Sequence, residues 1–110
     1  MEHWERRCFN GEWFRVGWSI AKAQVNRRKH GVAFPDAISV LSDPHGIVEE
    51  QFEGGESREK FIGRDGLGRL LVVIVFIGQP GVGESTETEG FIRLVSARRA
   101  TAAEFKEYFA

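Results

Sequence analysis

Two stretches of the chain, residues 13–35 and 90–103, are rich in basic side chains and contain no acid. Lysine and arginine neutralise phosphates, and arginine adds a bidentate geometry that suits a phosphoryl group. Because the net charge of the whole chain is only −1, this segregation indicates a phosphate-binding face. The alternative is a solvated helix face with internal ion pairs between arginine and glutamate. The basic side chains are Arg15, Lys22, Arg27, Arg28, Lys29, His30, Arg93, Arg98 and Arg99.

The pair Lys29-His30 places a titratable base beside strong cations at the end of a predicted helix. A histidine in this setting can act as a general acid or base in transesterification at an RNA 2′-hydroxyl. The alternative is that His30, in the last turn of the helix, only interacts favourably with the helix dipole. His30 is therefore a candidate catalytic residue, with both interpretations open.

Three arginines stand at or just after the ends of predicted strands: Arg64 closes one strand, and Arg98 and Arg99 follow another. Side chains at strand ends can point into a shared cleft, where a guanidinium stabilises the charge of a pentacovalent phosphorane. The alternative is that these arginines anchor the last helix or pair with a carboxylate. The sequence leaves both interpretations open for all three residues.

The first basic stretch is predicted to form a strand followed by a helix. Residues 12–16 favour a short strand, and Ser19 stands at the N-cap of a helix over residues 20–30 that Gly31 ends. The helical period predicts one buried face and a neighbouring cationic face. The buried face contains Ala21, Val25, the stem of Arg28 and Val32, and the cationic face contains Lys22, Asn26 and Lys29.

The rest of the chain predicts a short helix, several strands and a final helix. Pro35 favours the first position of the short helix, which ends at Asp43-Pro44. The longest apolar run indicates a central strand covered on both sides, and Thr101 with Glu104 has capping-box spacing. The predicted elements are a helix at 35–41, strands at 46–52, 60–64, 69–77 and 90–96, a polar hairpin connection at 78–90, and a helix at 102–109.

Length and composition indicate one small domain. The 110 residues fit a single domain over residues 1–110, with residues 1–11 as an N-terminal extension. The single cysteine excludes an internal disulfide, no group of residues has metal-ligand spacing, and no cofactor is expected. The chain shows no signal peptide, and its apolar runs are too short to cross a membrane. We therefore expect a cytoplasmic protein.

A series of short motifs extends over most of the chain. The motifs are Trp18-x-x-Ala21-Lys22-Ala23, Asn26-x-x-Lys29-His30-Gly31-Val32-x-Phe34, Asp43-Pro44, Phe61-Ile62-Gly63, Gly68-Arg69-Leu70-Leu71-Val72-Val73 and Ile92-Arg93-x-x-Ser96-Ala97-Arg98-Arg99-Ala100-Thr101. In this order and spacing, from about Phe14 to Tyr108, they resemble the BrnT family of bacterial toxins. The resemblance implies an α+β fold of the RelE/ParE kind, in which a small antiparallel β-sheet packs against N-terminal helices and a C-terminal helix.

The resemblance also implies a function. It is that of a metal-independent endoribonuclease toxin of a type II toxin–antitoxin system, which arrests growth and is neutralised by a BrnA-like antitoxin. The partners would be RNA as substrate and the antitoxin, whose ribbon-helix-helix domain would provide the contact with DNA. RelE-like ribonucleases use basic side chains to orient the 2′-oxygen and stabilise the phosphate, so the products would be a cyclic phosphate and a 5′-hydroxyl.

The resemblance suggests roles for particular residues. The implied catalytic residues are Arg64, Arg98, His30 and Lys29, and the implied substrate-binding residues are Lys22, Asn26 and Arg99. The alternative function is a non-catalytic or degenerate toxin-fold module that acts through protein contact, on a gyrase-type target or in a repressor complex. Growth arrest with intact RNA would favour this alternative.

Overall fold

The computed structural model describes residues 1–78 and 89–110, which form an α+β arrangement of strands and helices. The predicted tip of the connection at 78–90 lies outside the described residues. In the described part of the chain, no helix has the length and apolar character needed to span a bilayer. The elements are β1 (Glu2–Phe9), β2 (Glu12–Ser19), α1 (Ile20–His30), α2 (Phe34–Ala37) with a 3₁₀ turn (Ile38–Ser42), β3 (Ile47–Glu53), β4 (Glu56–Arg64), β5 (Leu70–Gly78), β6 (Gly90–Arg99) and α3 (Ala102–Tyr108).

The strands form one mixed sheet in the order β1-β2-β6-β5-β4-β3. Neighbouring strands are antiparallel except β2 and β6, which pair in parallel from Phe14↔Gly90 to Gly17↔Arg93. The prediction of an antiparallel sheet is therefore wrong at this one pair. A parallel pair requires a long crossover connection, and the helices and strands between β2 and β6 in the chain provide it.

Residues 1–11, predicted only as an extension, contribute a strand to the sheet. Strand β1 pairs with β2 over its whole length. The two residues between them, Asn10 and Gly11, have φ angles of 52° and 81°. Positive φ at both central positions is the type I′ hairpin geometry that Asn-Gly favours. The Asn-Gly pair was thus the local signal that predicts this hairpin.

The main core lies between one face of the sheet and the helical layer. Inward-facing residues of β2, β5 and β6 pack against Phe34, Ala37 and Val40. The central position of β5 is confirmed, because Leu71, Val72 and Val73 are all fully buried. Side chains alternate between the faces of a sheet, so consecutive buried residues require cover on both sides.

Helix α3 supplies cover on the second face. Lys60 and Ile62 are two residues apart in β4 and therefore point to the same side. Ile62 is fully buried but lies outside the main core cluster, and the Lys60 ammonium contacts Glu104 of α3. The predicted capping box is confirmed, since the Thr101 hydroxyl accepts from the Glu104 N–H and the Glu104 carboxylate accepts from the Thr101 N–H.

Helix α1 has the predicted ends but a different buried face. The Ser19 hydroxyl accepts from the Lys22 N–H at 3.3 Å, and Gly31 ends the helix with a φ of 69°. Val25, however, is 52% exposed. The face turned to the sheet is rotated and contains Ala23, Asn26 and His30. The predicted burial of Ala21 and Val25 is therefore wrong, because the amide of Asn26, rather than an apolar side chain, anchors the helix.

The second helix is shorter than predicted. Only Phe34–Ala37 is α-helical, and the chain then tightens into the 3₁₀ turn before Asp43, which is extended. Pro44 disfavours the α conformation in Asp43, the residue before it. In addition, 3₁₀ geometry often ends a helix. The shortened helix brings Asp43 against the end of β4, where its carboxylate accepts from the Arg64 N–H.

Candidate functional site

Strands β4 and β6 end at the same edge of the sheet, because each runs antiparallel to β5 between them. Their last residues are Arg64 and Arg99. Both side chains line one cleft of about 410 Å³, which α3 closes on one side through Phe105 and Phe109. This cleft, which we call the strand-end cleft, therefore contains two of the three arginines that the sequence places near strand ends.

Arg64 also borders a second cleft of about 480 Å³, together with Asp43, His45 and Tyr108. Its guanidinium carbon lies 5.9 Å from the centre of the Tyr108 ring and 5.2 Å from that of Phe109. A cation held over ring faces is positioned without losing its charge. Arg64 thus stands between the two clefts and is shared by both.

The carboxylate of Asp43 organises this second cleft. Its Oδ2 accepts from the Arg64 backbone N–H at 2.8 Å and from the Tyr108 hydroxyl at 2.7 Å, and its Oδ1 accepts from the His45 N–H at 2.9 Å. Partial burial acts to raise the pKa of Asp43, but these three hydrogen bonds outweigh it and lower the pKa. The hydrogen bond to Asp43 in turn raises the pKa of Tyr108. The Tyr108 side chain is therefore a neutral phenol that donates a hydrogen bond to the Asp43 carboxylate.

The guanidinium groups of Arg64 and Arg99 are available to an anion. In residues 1–78 and 89–110, neither group has a carboxylate within ion-pair distance. Arg69, which lines the same cleft as Arg99, differs from them because its Nε donates to the buried Asp65 at 2.8 Å. Both guanidinium groups in this cleft can therefore pair with a bound anion.

Arg98 pairs with a carboxylate of the last helix, which is the alternative that the sequence left open for this arginine. Its Nη1 and Nη2 donate to the two carboxylate oxygens of Glu104 at 2.7 and 2.9 Å, and Lys60 contacts the same carboxylate at 2.9 Å. The Arg98 guanidinium holds the pKa of Glu104 well below its usual range, against the opposing effect of burial. Arg98 therefore anchors α3 to the sheet, and its guanidinium is already paired.

The predicted basic residues of α1 form a separate group. Lys22, Lys29 and His30 line a groove of about 330 Å³ between α1 and β6, which Val95 and Ser96 complete. His30 and Arg64 therefore line different clefts. The sequence predicted one site from both basic stretches, whereas the structure divides the predicted residues between the α1 groove and the strand-end cleft.

Asn26 is a tether within the fold. Its side-chain amide donates to the carbonyl oxygens of Val32 and Ala97 at 3.1 and 2.8 Å, and its Oδ1 accepts from the Ala97 N–H at 3.1 Å. The residue is 6% exposed. Both N–H groups are used, so the predicted contact of Asn26 with substrate has no free donor to make it.

Arg64 is the only predicted site residue among those that line the second cleft in the described part of the chain, so Asp43, His45 and Tyr108 were missed. His45 lies between the 3₁₀ turn and β3, in the sequence Asp43-Pro44-His45-Gly46, and this loop composition is the signal that could have identified it. Tyr108 is the last residue of α3 and is partly buried. Only the fold shows that its hydroxyl reaches Asp43, 65 residues earlier in the chain.

Comparison with known protein families adds one match. A family model described as "Ribonuclease toxin, BrnT, of type II toxin-antitoxin system" matches residues 18–104. The match covers more than half of the chain and includes Asp43, His45, Arg64 and Arg99, whereas β1 and nearly all of β2 lie outside it. No curated protein matches the chain.

Proposed function

Because the chain belongs to the BrnT family of ribonuclease toxins of type II toxin–antitoxin systems, we propose that it cleaves RNA without a metal ion at the two clefts that Arg64 lines. The observation that carries this proposal is the convergence of Arg64 and Arg99 at one edge of the sheet. Two guanidinium groups fixed at strand ends supply the positive charge that a phosphorane requires. They can do so without the charge of a metal ion.

In this reaction the RNA 2′-oxygen attacks the adjacent phosphorus, and the bond from phosphorus to the 5′-oxygen breaks. The products are a 2′,3′-cyclic phosphate and a 5′-hydroxyl. Arg64 and Arg99 bind the non-bridging phosphate oxygens, whose negative charge increases in the transition state. Because both residues end strands that pair with β5, their backbone positions are set before substrate arrives.

Proton transfer is assigned to His45. It lines the same cleft as Arg64, and an imidazole is the side chain most often used as a general base. His45 accepts the proton of the 2′-hydroxyl, and the departing 5′-oxygen takes a proton from water. Tyr108 is a positioning residue, because its hydroxyl is held by Asp43 while its ring lies beside the Arg64 guanidinium.

The α1 groove has a secondary role in this proposal. Lys22 and Lys29 bind RNA phosphates away from the cleaved bond, and His30 lines the same groove. Arg98 acts as a positioning residue for its neighbour Arg99 through the ion pair with Glu104. The predicted catalytic role of Lys29, His30 and Arg98 thus becomes a role in binding or positioning.

The proposal includes the partner and the setting. A BrnA-like antitoxin neutralises the protein in the cytoplasm, which is supported by the type II system named in the family description. Ile20 and Val25, on α1, are exposed apolar side chains that a protein partner can cover. The α+β arrangement with an antiparallel β3–β6 region also supports the RelE/ParE-like relationship.

The alternative function, a toxin-fold module that acts through protein contact, is favoured by one observation. Arg98 and Asn26, two of the predicted site residues, are committed to internal contacts. Such a module would bind its partner and leave RNA intact. The experiment below separates the two functions.

The test is incubation of the partner-free protein with end-labelled RNA in EDTA, beside a DNA strand of the same sequence. We expect cleavage of RNA only, with 5′-hydroxyl and cyclic phosphate ends, because the 2′-oxygen is the nucleophile. Cleavage that requires added Mg²⁺ would contradict metal independence. Intact RNA in the presence of folded protein would favour the binding module.

A further inference from the structure

The β1–β2–β6 part of the sheet carries aromatic rings and arginines on the face opposite the main core. Val16 and Trp18 of β2 and Ile92 of β6 belong to that core. Their neighbours along each strand point the other way, because side chains alternate. The residues on this second face include Trp4, Arg6, Trp13, Arg15, Phe91 and Arg93, which we call the arginine–aromatic platform.

Two glycines make room for the rings of Trp4 and Phe91 against the backbone of the sheet. Trp4 is opposite Gly17, and a Cβ at Gly17 would collide with the Trp4 indole. Phe91 is opposite Gly78, where an added Cβ would collide with the Phe91 ring. The ring centres of Trp4 and Phe91 are 6.2 Å apart in an edge-to-face arrangement. The rings of Trp4 and Phe91 therefore form one aromatic surface.

Each arginine of the platform lies over an indole. The guanidinium carbons of Arg15 and Arg93 are 4.9 and 5.3 Å from the centre of the Trp4 ring, and that of Arg6 is 4.6 Å from the centre of Trp13. A guanidinium held over an aromatic ring keeps its charge, and its planar group can stack on other flat groups. Such planes, like aromatic rings, are surfaces on which nucleobases stack.

Among the described residues, ion pairs hold Arg6 and Arg93 of the platform in their present positions. Arg6 pairs with Glu89, and Arg93 pairs with Glu2 at 2.7 Å. The two arginine side chains are 58% and 39% exposed, so each pair contributes little to stability. RNA phosphates can replace the carboxylates at small cost, which leaves the stacked guanidinium groups available to bind a polyanion.

We propose that the arginine–aromatic platform binds single-stranded RNA, with bases stacked on its ring and guanidinium planes and phosphates bound by Arg6 and Arg93. This inference rests on the proposed function, because the bound strand is the substrate of the two clefts that Arg64 lines. Interleaved cations and aromatic planes match the charge and the flat bases of RNA.

Strand β6 connects the platform with the proposed catalytic cleft. Arg93 and Arg99 are six residues apart in this strand, a distance of about 20 Å at 3.3 Å per residue. Because Arg99 is opposite Leu71 of the main core and points to the other face of the sheet, an RNA strand that contacts both regions must pass the end of β6. Trp4, Arg6, Trp13 and Arg15 all precede residue 18, where the family match begins, so this chain adds most of the platform to the matched region.

The test measures binding of a fluorescent 2′-O-methyl oligouridine by anisotropy, since this RNA binds but lacks the nucleophile for cleavage. The platform variants are Arg6→Gln and Trp13→Ala. Arg7→Gln is a matched control, because Arg7 is the next residue in β1, points to the opposite face and pairs with Glu5 at 2.6 Å. Phe52→Ala removes an aromatic ring that is 76% exposed on the distant strand β3.

We expect each platform variant to bind the oligouridine about tenfold more weakly than the unaltered protein. Arg6→Gln should also reduce the salt dependence of binding. Both controls should bind within about twofold of the unaltered protein. Unchanged binding in both platform variants with native circular dichroism would overturn the proposal. Platform variants that bind RNA normally but no longer bind a protein partner would also overturn the proposal.

The platform and the ribonuclease proposal can fail separately. If the unaltered protein binds the oligouridine through Arg6 and Trp13 but cleaves no RNA, the catalytic proposal fails and the platform stands. If RNA is cleaved normally and the platform variants bind and cleave like the unaltered protein, only the platform is excluded.

Discussion

Two neighbouring regions at the end of β6 hold arginines in opposite states. Arg98 is paired with both oxygens of Glu104 beneath α3, whereas Arg99 is exposed and faces the strand-end cleft with Arg64. The two residues are adjacent and of one type, so the difference comes from strand alternation and from the position of α3. A basic pair in a sequence can therefore divide into one residue that stabilises the fold and one that remains available for binding.

The largest effect is expected at Arg64. Its replacement by alanine removes a guanidinium from the proposed transition-state contacts, so the RNA cleavage rate should fall about 10²- to 10³-fold. Initial rates on labelled RNA in EDTA measure this effect. Arg27→Ala, in the last turn of α1, is the matched control and should cleave at nearly the unaltered rate. A normal rate in Arg64→Ala would show that the cleft is not the catalytic site.

Arg98→Ala tests the other side of the comparison. It removes the bidentate partner of the buried Glu104 carboxylate, which keeps its contacts with Lys60 and the Thr101 N–H. We expect the free energy of unfolding to fall by about 2–3 kcal/mol, as measured by urea denaturation. Arg99→Ala should change it by less than about 0.5 kcal/mol. Normal stability of Arg98→Ala together with lost cleavage would return Arg98 to the catalytic residues.

The Glu104 ion cluster also predicts a pH dependence of stability. Because the pKa of Glu104 is lowered in the folded protein from an ordinary value of 4.5, its contribution is complete above about pH 4.5 and decreases as the pH falls toward the folded pKa. Glu104→Gln removes this titration. We therefore expect denaturation curves between pH 6 and pH 3, in rough steps of one unit, to show a shallower loss of stability in this variant. Equal slopes in the two proteins would contradict the prediction.

The smallest effect is expected in the α1 groove. Neutralising Lys22 and Lys29 with glutamine removes two proposed phosphate contacts, so the slope of log binding constant against log salt should decrease by about 1.4 for single-stranded RNA. The maximal cleavage rate should change much less than in Arg64→Ala. An unchanged salt slope would assign these lysines to a solvated helix face, and a lost maximal rate would place them in the catalytic site.

Local signals predicted much of the fold. Ser19 and Gly31 fixed the ends of α1, Thr101 and Glu104 formed the expected capping box, and the apolar run of β5 became a central strand. These features depend on residues close in the chain, which is why sequence reasoning identifies them. The rotated face of α1 and the parallel β2–β6 pair depend on contacts between distant residues, which local patterns in the sequence do not predict.

The candidate site was only partly predictable for the same reason. The sequence by itself determined which side chains carry positive charge, that Arg64 and Arg99 end strands, and that the chain resembles the BrnT family. Only the tertiary structure decided that Glu104 pairs with Arg98, that Asn26 is a tether, and that His45 and Tyr108 lie beside Arg64. Spacing along a chain fixes local hydrogen bonds, but the pairing of a charge depends on which distant strand or helix packs against it.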